Sequence, residues 1–113
     1  MKVSIITATY NRGATVVRAI SSIKSQTYSD IQVVVVDGAS QDSTISLVRP
    51  MLNANDILQS EPDAGIYDAL NKGLALANGE IIAFLHSDDL YYDNSVISQV
   101  VDAFADTSVD VVY

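Results

Sequence analysis

Four carboxylates stand where short apolar runs give way to polar loops. Asp37 follows a run of valines, Asp63 sits in a loop with Pro62 and Gly65, and Asp88 and Asp89 lie just past another apolar run. Carboxylates brought to one place repel each other, and a divalent cation relieves the repulsion. Hard oxygen donors with open positions suit Mg2+ or Mn2+, which keep several waters and bind through one or two carboxylates plus a ligand's phosphates. Asp and Ser after strands are also ordinary turn residues and helix caps, and from types and spacing alone the two readings stand level. The single histidine, His86, adjoins the acidic pair and is either a structural loop residue or a metal ligand. Ser87 has no other histidine to serve as its base, which argues against a serine triad. No G-x-G-x-x-G follows the first apolar run and no G-x-x-x-x-G-K-[ST] occurs, so dinucleotide and P-loop sites are not indicated.

The elements that must position these residues alternate strand and helix. Val3–Thr9 is an apolar, β-branched run and predicts a buried strand. Val16, Val17, Ile20 and Ile23 recur at helical spacing. Residues 31–36, with four consecutive valines, predict a second strand. Asp37-Gly38-Ala39-Ser40 reads as a turn, with Ser40 or Asp42 capping a helix through Arg49 that Pro50 disturbs near its end. Residues 56–60 predict a short third strand. Ile66, Leu70 and Leu74 mark a third helix, expected to end at Asn78-Gly79. Residues 81–85 predict a fourth strand. Asn94 or Ser95 is expected to cap a last helix carrying Val96, Ile97, Val100, Val101 and Phe104, and residues 109–113 begin a fifth strand. Strands bridged by helices imply an α/β fold, a mainly parallel sheet with helices on both faces. Ligands of such sheets bind beyond the carboxyl ends of the strands. The segments to read most closely are therefore Tyr10-Asn11-Arg12, Asp37-Gly38-Ala39-Ser40, Glu61-Pro62-Asp63 and His86-Ser87-Asp88-Asp89.

The chain of 113 residues is long enough for one domain, and its apolar content of 49% can build a core. There is no apolar stretch of about 20 residues to span a bilayer, and the N-terminal apolar run is too short for a signal peptide. The absence of cysteine excludes a disulfide scaffold and thiolate chemistry, and fits a cytoplasmic protein. A net charge of −8 repels nucleic acid and anionic membranes, and repels a phosphorylated ligand unless a cation mediates.

Taken in order, these segments resemble the family-2 glycosyltransferases, in the bacterial polysaccharide and lipopolysaccharide type of subgroup. Val3-Ser4-Ile5-Ile6-Thr7-Ala8-Thr9-Tyr10-Asn11 is similar to the opening strand of that family, with Ala8 where proline is usual. Ser22-Ile23-Lys24-Ser25-Gln26-Thr27-Tyr28 is similar to its Ser-Ile-x-x-Gln-Thr-aromatic segment. Val36-Asp37-Gly38-Ala39-Ser40-Gln41-Asp42-Ser43-Thr44 resembles Val-Asp-Asp-Gly-Ser-Thr-Asp-Gly-Thr. Residues 61–73 and 79–89 resemble the segments that follow, the latter bearing the Asp-x-Asp type of metal motif. Five such matches in order at matching spacing are specific where each alone is weak.

The resemblance implies a Rossmann-like GT-A fold, here truncated, binding a nucleotide-diphospho-sugar, most often a UDP-sugar, with Mg2+ or Mn2+. It implies that Ala8, Thr9, Tyr10 and Asn11 line the base and ribose pocket and that Asp37 contacts the nucleoside. Asp88 and Asp89 would hold the metal and diphosphate, Asp89 more directly. Asp68 and Asn71, one turn apart, either face the nucleotide or serve as a cap and a packing residue. Two departures stand out. Gly38 replaces the second acid of the paired Asp-Asp, and His86 stands where some members have the first carboxylate of Asp-x-Asp. The implied reaction is inverting transfer to a saccharide or lipid-linked acceptor, with peripheral membrane association of the full-length protein if the acceptor is lipid-linked. No catalytic residue is assigned. The general base is expected beyond residue 113, and the chain is expected to be a donor-binding fragment, 1–113, that transfers no sugar alone. Two other classes remain. One is a binding module that kept the fold and lost catalysis. The other is a receiver-type Mg2+-binding domain, which needs an acidic pair where Thr9-Tyr10-Asn11 stands.

Overall fold

The structure is a computed structural model and describes residues 1–87, 90, 91 and 93–105. The expectations placed on Asp88, Asp89, the Phe104 side chain and a fifth strand over 109–113 lie outside what it describes. Within it the chain runs β1 (Val3–Thr9), α1 (Gly13–Lys24), β2 (Ile31–Asp37), α2 (Thr44–Val48), a 3-10 turn (Arg49–Met51), β3 (Ile57–Ser60), α3 (Ile66–Leu76), β4 (Ile81–Phe84) and α4 (Val96–Ala105). All three strand pairings are parallel, in the order β3-β2-β1-β4.

The valine- and isoleucine-rich strands are buried on both faces because helices cover both. Val3, Ile5, Val33 and Val35 pack on one side with Val16, Ala19, Ile20 and Ile23 of α1, Val48 of α2 and Ile97 of α4. Ile6, Val34 and Val36 pack on the other with Ala69 and Leu70 of α3. Alpha-3 sits close to β1 through a glycine: a Cβ on Gly73 would lie 2.4 Å from Ile6 Cγ2.

At the amino end of the sheet a polar stitch crosses the core. Ser4 Oγ donates to Gln32 Oε1 at 2.6 Å, in register across β1 and β2. Gln32 Oε1 also accepts from Asn78 N at 3.1 Å, and Gly79 N donates to Ser4 Oγ at 2.8 Å. This explains why Asn78-Gly79 does not end α3 as a left-handed cap. The helix stops at Leu76 with Ala77 extended. Gly79 instead makes room, since a Cβ there would lie 2.7 Å from Ser4 N and 2.9 Å from Lys2 O.

Alpha-2 is also shorter than its pattern suggests. Ser40 is engaged with Asp37 and caps nothing. Asp42 is not the cap either: its Oδ1 accepts from Thr44 N at 2.9 Å and from the Thr44 hydroxyl, while Ser43 occupies the cap position without a side-chain bond and the helix begins at Thr44. Those bonds hold the Asp42 carboxyl below its ordinary value, the Thr44 hydroxyl contributing most. Pro50 then shifts the chain from α-helix to the 3-10 turn.

Candidate functional site

The strand order reverses direction between β1 and β4: β2 and β3 follow on one side of β1, whereas β4 lies on the other. Chain segments leaving the carboxyl ends of strands on the two sides of such a point diverge and leave a crevice. A cleft of about 340 Å³ lies at this edge, lined by Ala8, Thr9 and Tyr10 from the end of β1, Arg12 before α1, Asp63, Gly65, Ile66 and Ala69 from the β3–α3 region, and Ser87 after β4. That volume is within the range of small-molecule sites. Tyr10 presents half of its surface to solvent, with 54% exposed.

Three loops meet there and are tied to one another. Gly38 N donates to Thr9 O at 3.0 Å. Asn11, with φ 49°, donates its N–H to Ser40 Oγ at 2.8 Å and accepts from Gln41 N through Oδ1 at 2.8 Å. Asp37 is wholly buried. Its Oδ2 accepts from Ser40 N and from Ser60 Oγ, each at 2.7 Å, and its Oδ1 accepts from the Ser40 hydroxyl. One carboxylate thus fixes the loop after β2 to the end of β3. The tight turn puts Ala39 at φ 64°, an uncommon conformation for a residue with a Cβ.

The β3–α3 loop is held as firmly. Glu61 N donates to Asp37 O at 3.0 Å. Lys72 Nζ reaches Pro62 O at 2.9 Å, Glu61 Oε1 at 3.1 Å and Asp68 Oδ2 at 3.5 Å. Asp68 Oδ2 accepts from Ala64 N at 2.9 Å. That amide is the main cause of a lowered Asp68 pKa, while the Glu61 hydrogen bond leads the rise at Lys72. Gly65, at φ 112°, opens α3, and its N–H donates to Asp63 Oδ1 at 3.1 Å.

Of the residues singled out by sequence, Ala8, Thr9 and Tyr10 come together in the cleft. Asn11, Asp37 and Asp68 are engaged in loop hydrogen bonds beside it, and Asn71 is exposed on α3 without lining it. His86 is exposed after β4. Asp88 and Asp89 lie outside the described residues. Among the described residues no group of three potential ligands could hold a metal. A pair of carboxylates such as Asp88 and Asp89 is nonetheless a sufficient protein donor set for Mg2+ or Mn2+, which take their remaining ligands from water and phosphate. The sequence reading did not assign Arg12, Gly65, Ile66, Ala69 or Ser87 to the site, and it treated Asp63 only as one of the clustered acids. Arg12 belongs to the strand-end segment Tyr10-Asn11-Arg12 and is the most accessible of these signals.

Comparison with known proteins agrees with this architecture. The sequence model of glycosyl transferase family 2 matches residues 4–113. An uncharacterized glycosyltransferase of Mycobacterium tuberculosis is 36% identical over 104 residues, covering 91% of this chain and 40% of that protein. A PGL/p-HBAD biosynthesis glycosyltransferase of Mycobacterium bovis is 37% identical over 100 residues, covering 86% and 39%. Among solved structures, the mannosyltransferase PcManGT of Pyrobaculum calidifontis, in complex with GDP-Man and Mn2+, superposes with a TM-score of 0.86 at 32% identity, covering 96% of this chain and 33% of that one. S. aureus TarS in complex with UDP-GlcNAc superposes with a TM-score of 0.84 at 27% identity, covering 94% and 32%. The chain therefore spans about two fifths of the length of these curated relatives.

Proposed function

The chain belongs to glycosyl transferase family 2 and has the GT-A fold, and from that premise we propose that it binds the nucleotide-diphospho-sugar donor of a glycosyltransferase. The reaction served is transfer of the sugar, with inversion, to a saccharide or lipid-linked acceptor. The observation that carries this reading is the cleft at the strand-order reversal, where Ala8, Thr9, Tyr10, Arg12, Asp63 and Ser87 converge. Neighbours of the same fold hold UDP-GlcNAc or GDP-Man, which supports a nucleotide-sugar as the ligand class.

In this reading the exposed Tyr10 ring forms a wall for the base, and Ala8 and Thr9 form the floor beneath the ribose. Among the described residues Arg12 is the one cationic side chain lining the cleft, and it meets the diphosphate. Asp37 acts by position: it fixes the loops that shape the cleft. Asp88 and Asp89 would hold Mg2+ or Mn2+ against the diphosphate, and Asp68 and Asn71 stand at the outer edge of the donor site. The cation, when bound, neutralises charge that develops on the departing nucleoside diphosphate. No residue of the cleft is proposed as the base that takes the acceptor's proton. No helix among the described residues is long and apolar enough to cross a membrane; a lipid-linked acceptor would place the protein at the inner membrane face by peripheral contact.

Calorimetric titration with UDP and GDP, with Mn2+ and with a chelator, tests the proposal. Binding that strengthens with the metal is expected. A folded chain that binds neither nucleotide under either condition would sink the reading.

A further inference from the structure

Resting on the donor reading above, we infer that Asp63 reads the edge of the donor's base and selects bases that carry an imino N–H, uracil and guanine, over cytosine and adenine. The geometry begins at Gly38. A Cβ built on that residue would lie 3.0 Å from Asp63 Oδ2 and 3.4 Å from Tyr10 Cδ1. Gly38 does not have a positive φ, so the backbone does not require glycine there; the space does. The volume that a side chain after Asp37 would fill is bordered instead by a carboxylate arriving from the β3–α3 loop and by the Tyr10 ring at Cδ1.

Asp63 and Tyr10 both line the cleft. Asp63 Oδ1 is held by the Gly65 N–H. Oδ2 has no hydrogen-bond or ion-pair partner among the described residues. The loop carrying it is already fixed at Glu61, Pro62 and Ala64, so little ordering remains when a ligand arrives. An acceptor held rigidly beside a half-exposed aromatic face fits a planar heterocycle that stacks on the ring and turns a donor toward the carboxylate.

A carboxylate only accepts hydrogen bonds. Uracil offers N3–H, and guanine offers N1–H with its 2-amino group beside it. Cytosine N3 and adenine N1 are lone pairs at the corresponding place and meet the carboxylate with repulsion. Lost pairing of a buried polar group is the effect that discriminates most strongly between similar ligands.

The test is calorimetric titration of the chain with UDP, GDP, CDP and ADP in Mn2+ buffer, with circular dichroism to verify folding. UDP and GDP are expected to bind about tenfold or more tightly than CDP and ADP. Asp63→Asn keeps an oxygen for the Gly65 N–H and can also donate, so the gap should shrink to about threefold or less. Gly38→Ala, which pushes on Oδ2, should weaken UDP and GDP while leaving CDP and ADP near their wild-type affinities. A gap that persists in Asp63→Asn overturns the assignment. Equal binding of all four nucleotides by the wild-type chain overturns base selection and leaves the donor reading intact. A folded chain that binds none overturns both.

Discussion

Substitution of Asp37 separates holding a loop from touching a ligand. The wholly buried carboxylate accepts three hydrogen bonds, from Ser40 N, Ser40 Oγ and Ser60 Oγ. In Asp37→Ala all three donors lose their acceptor. A hydrogen bond to a carboxylate contributes about 1.5–3 kcal/mol. The two hydroxyls can rotate toward other acceptors, whereas the Ser40 amide cannot, so the expected loss is about 3–5 kcal/mol. Against a total stability of about 5–15 kcal/mol for a domain, that is a large fraction. Asp37→Asn is milder. With its oxygen toward Ser40 N and Ser60 Oγ, its amide faces the Ser40 hydroxyl, which also accepts from Asn11 N. Only the pairing of one hydroxyl hydrogen is disturbed, at a cost of about 1–2 kcal/mol. Urea denaturation measures both losses, and titration with UDP and GDP measures binding. Asp37→Asn should keep affinity within about fivefold of wild type, equivalent to about 1 kcal/mol. If Asp37→Ala unfolds at the wild-type urea midpoint, the carboxylate does not hold the loops. If Asp37→Asn is as stable as wild type yet loses nucleotide binding, Asp37 touches the ligand and its role as a positioning residue is refuted.

Two further outcomes follow from packing and burial. Gly73→Ala places a methyl 2.4 Å from Ile6 Cγ2; overpacking costs about 1–3 kcal/mol, offset by about 1 kcal/mol of helix propensity. A net destabilisation in urea is expected, together with weaker nucleotide binding as α3 carries Ile66 and Ala69 outward; an equally stable variant would show that α3 yields without strain. Burial pushes the Tyr91 phenol up to about 12 from its ordinary 10.0. The folded value is raised, so its contribution is complete below pH 10 and is lost as pH rises through about 12. Wild type should therefore lose about 2–3 kcal/mol more than Tyr91→Phe over that window, read as the difference between their urea midpoints; parallel pH profiles would contradict it.

The strands were legible because their residues left few alternatives. Val3–Thr9 is found with the bounds its sequence suggests, since a β-branched run buried on both sides has no helical periodicity to compete. The helix faces were legible for the complementary reason: Val16, Ile20 and Ile23 are buried together on α1, as their spacing requires. Cap positions were less so. Ser40 and Asp42 are both competent caps, yet Ser43 takes the cap position without a side-chain bond, because Asp37 engages Ser40 and Asp42 binds Thr44 from one residue further out. The site was legible as a place more than as a set of side chains. An acid at a strand end serves equally well as an acceptor for its own loop or as a ligand contact, and the bond that ties Asp37 to Ser60 spans 23 positions. The approach of Asp63 to Gly38 is hidden for the same reason, because it depends on the path of a later loop and on a side chain that is missing.

The buried Ser4–Gln32 pair has a consequence for the site at the opposite end of the sheet. Val33, Val34, Val35 and Val36 are interchangeable neighbours; sliding β2 along β1 by two residues would return a valine to two of these four positions and leave every side chain on the face it already occupies. What such a slide would not preserve is the polar pair. It would set Gln32 opposite Ile6 or Lys2 and strand an amide whose Nε2 already has no partner among the described residues. The stitch therefore works as the alignment key of a strand whose own letters repeat. By fixing Ser4 against Gln32 it fixes Thr9 against Asp37, and the loops that build the cleft leave their strands level with each other.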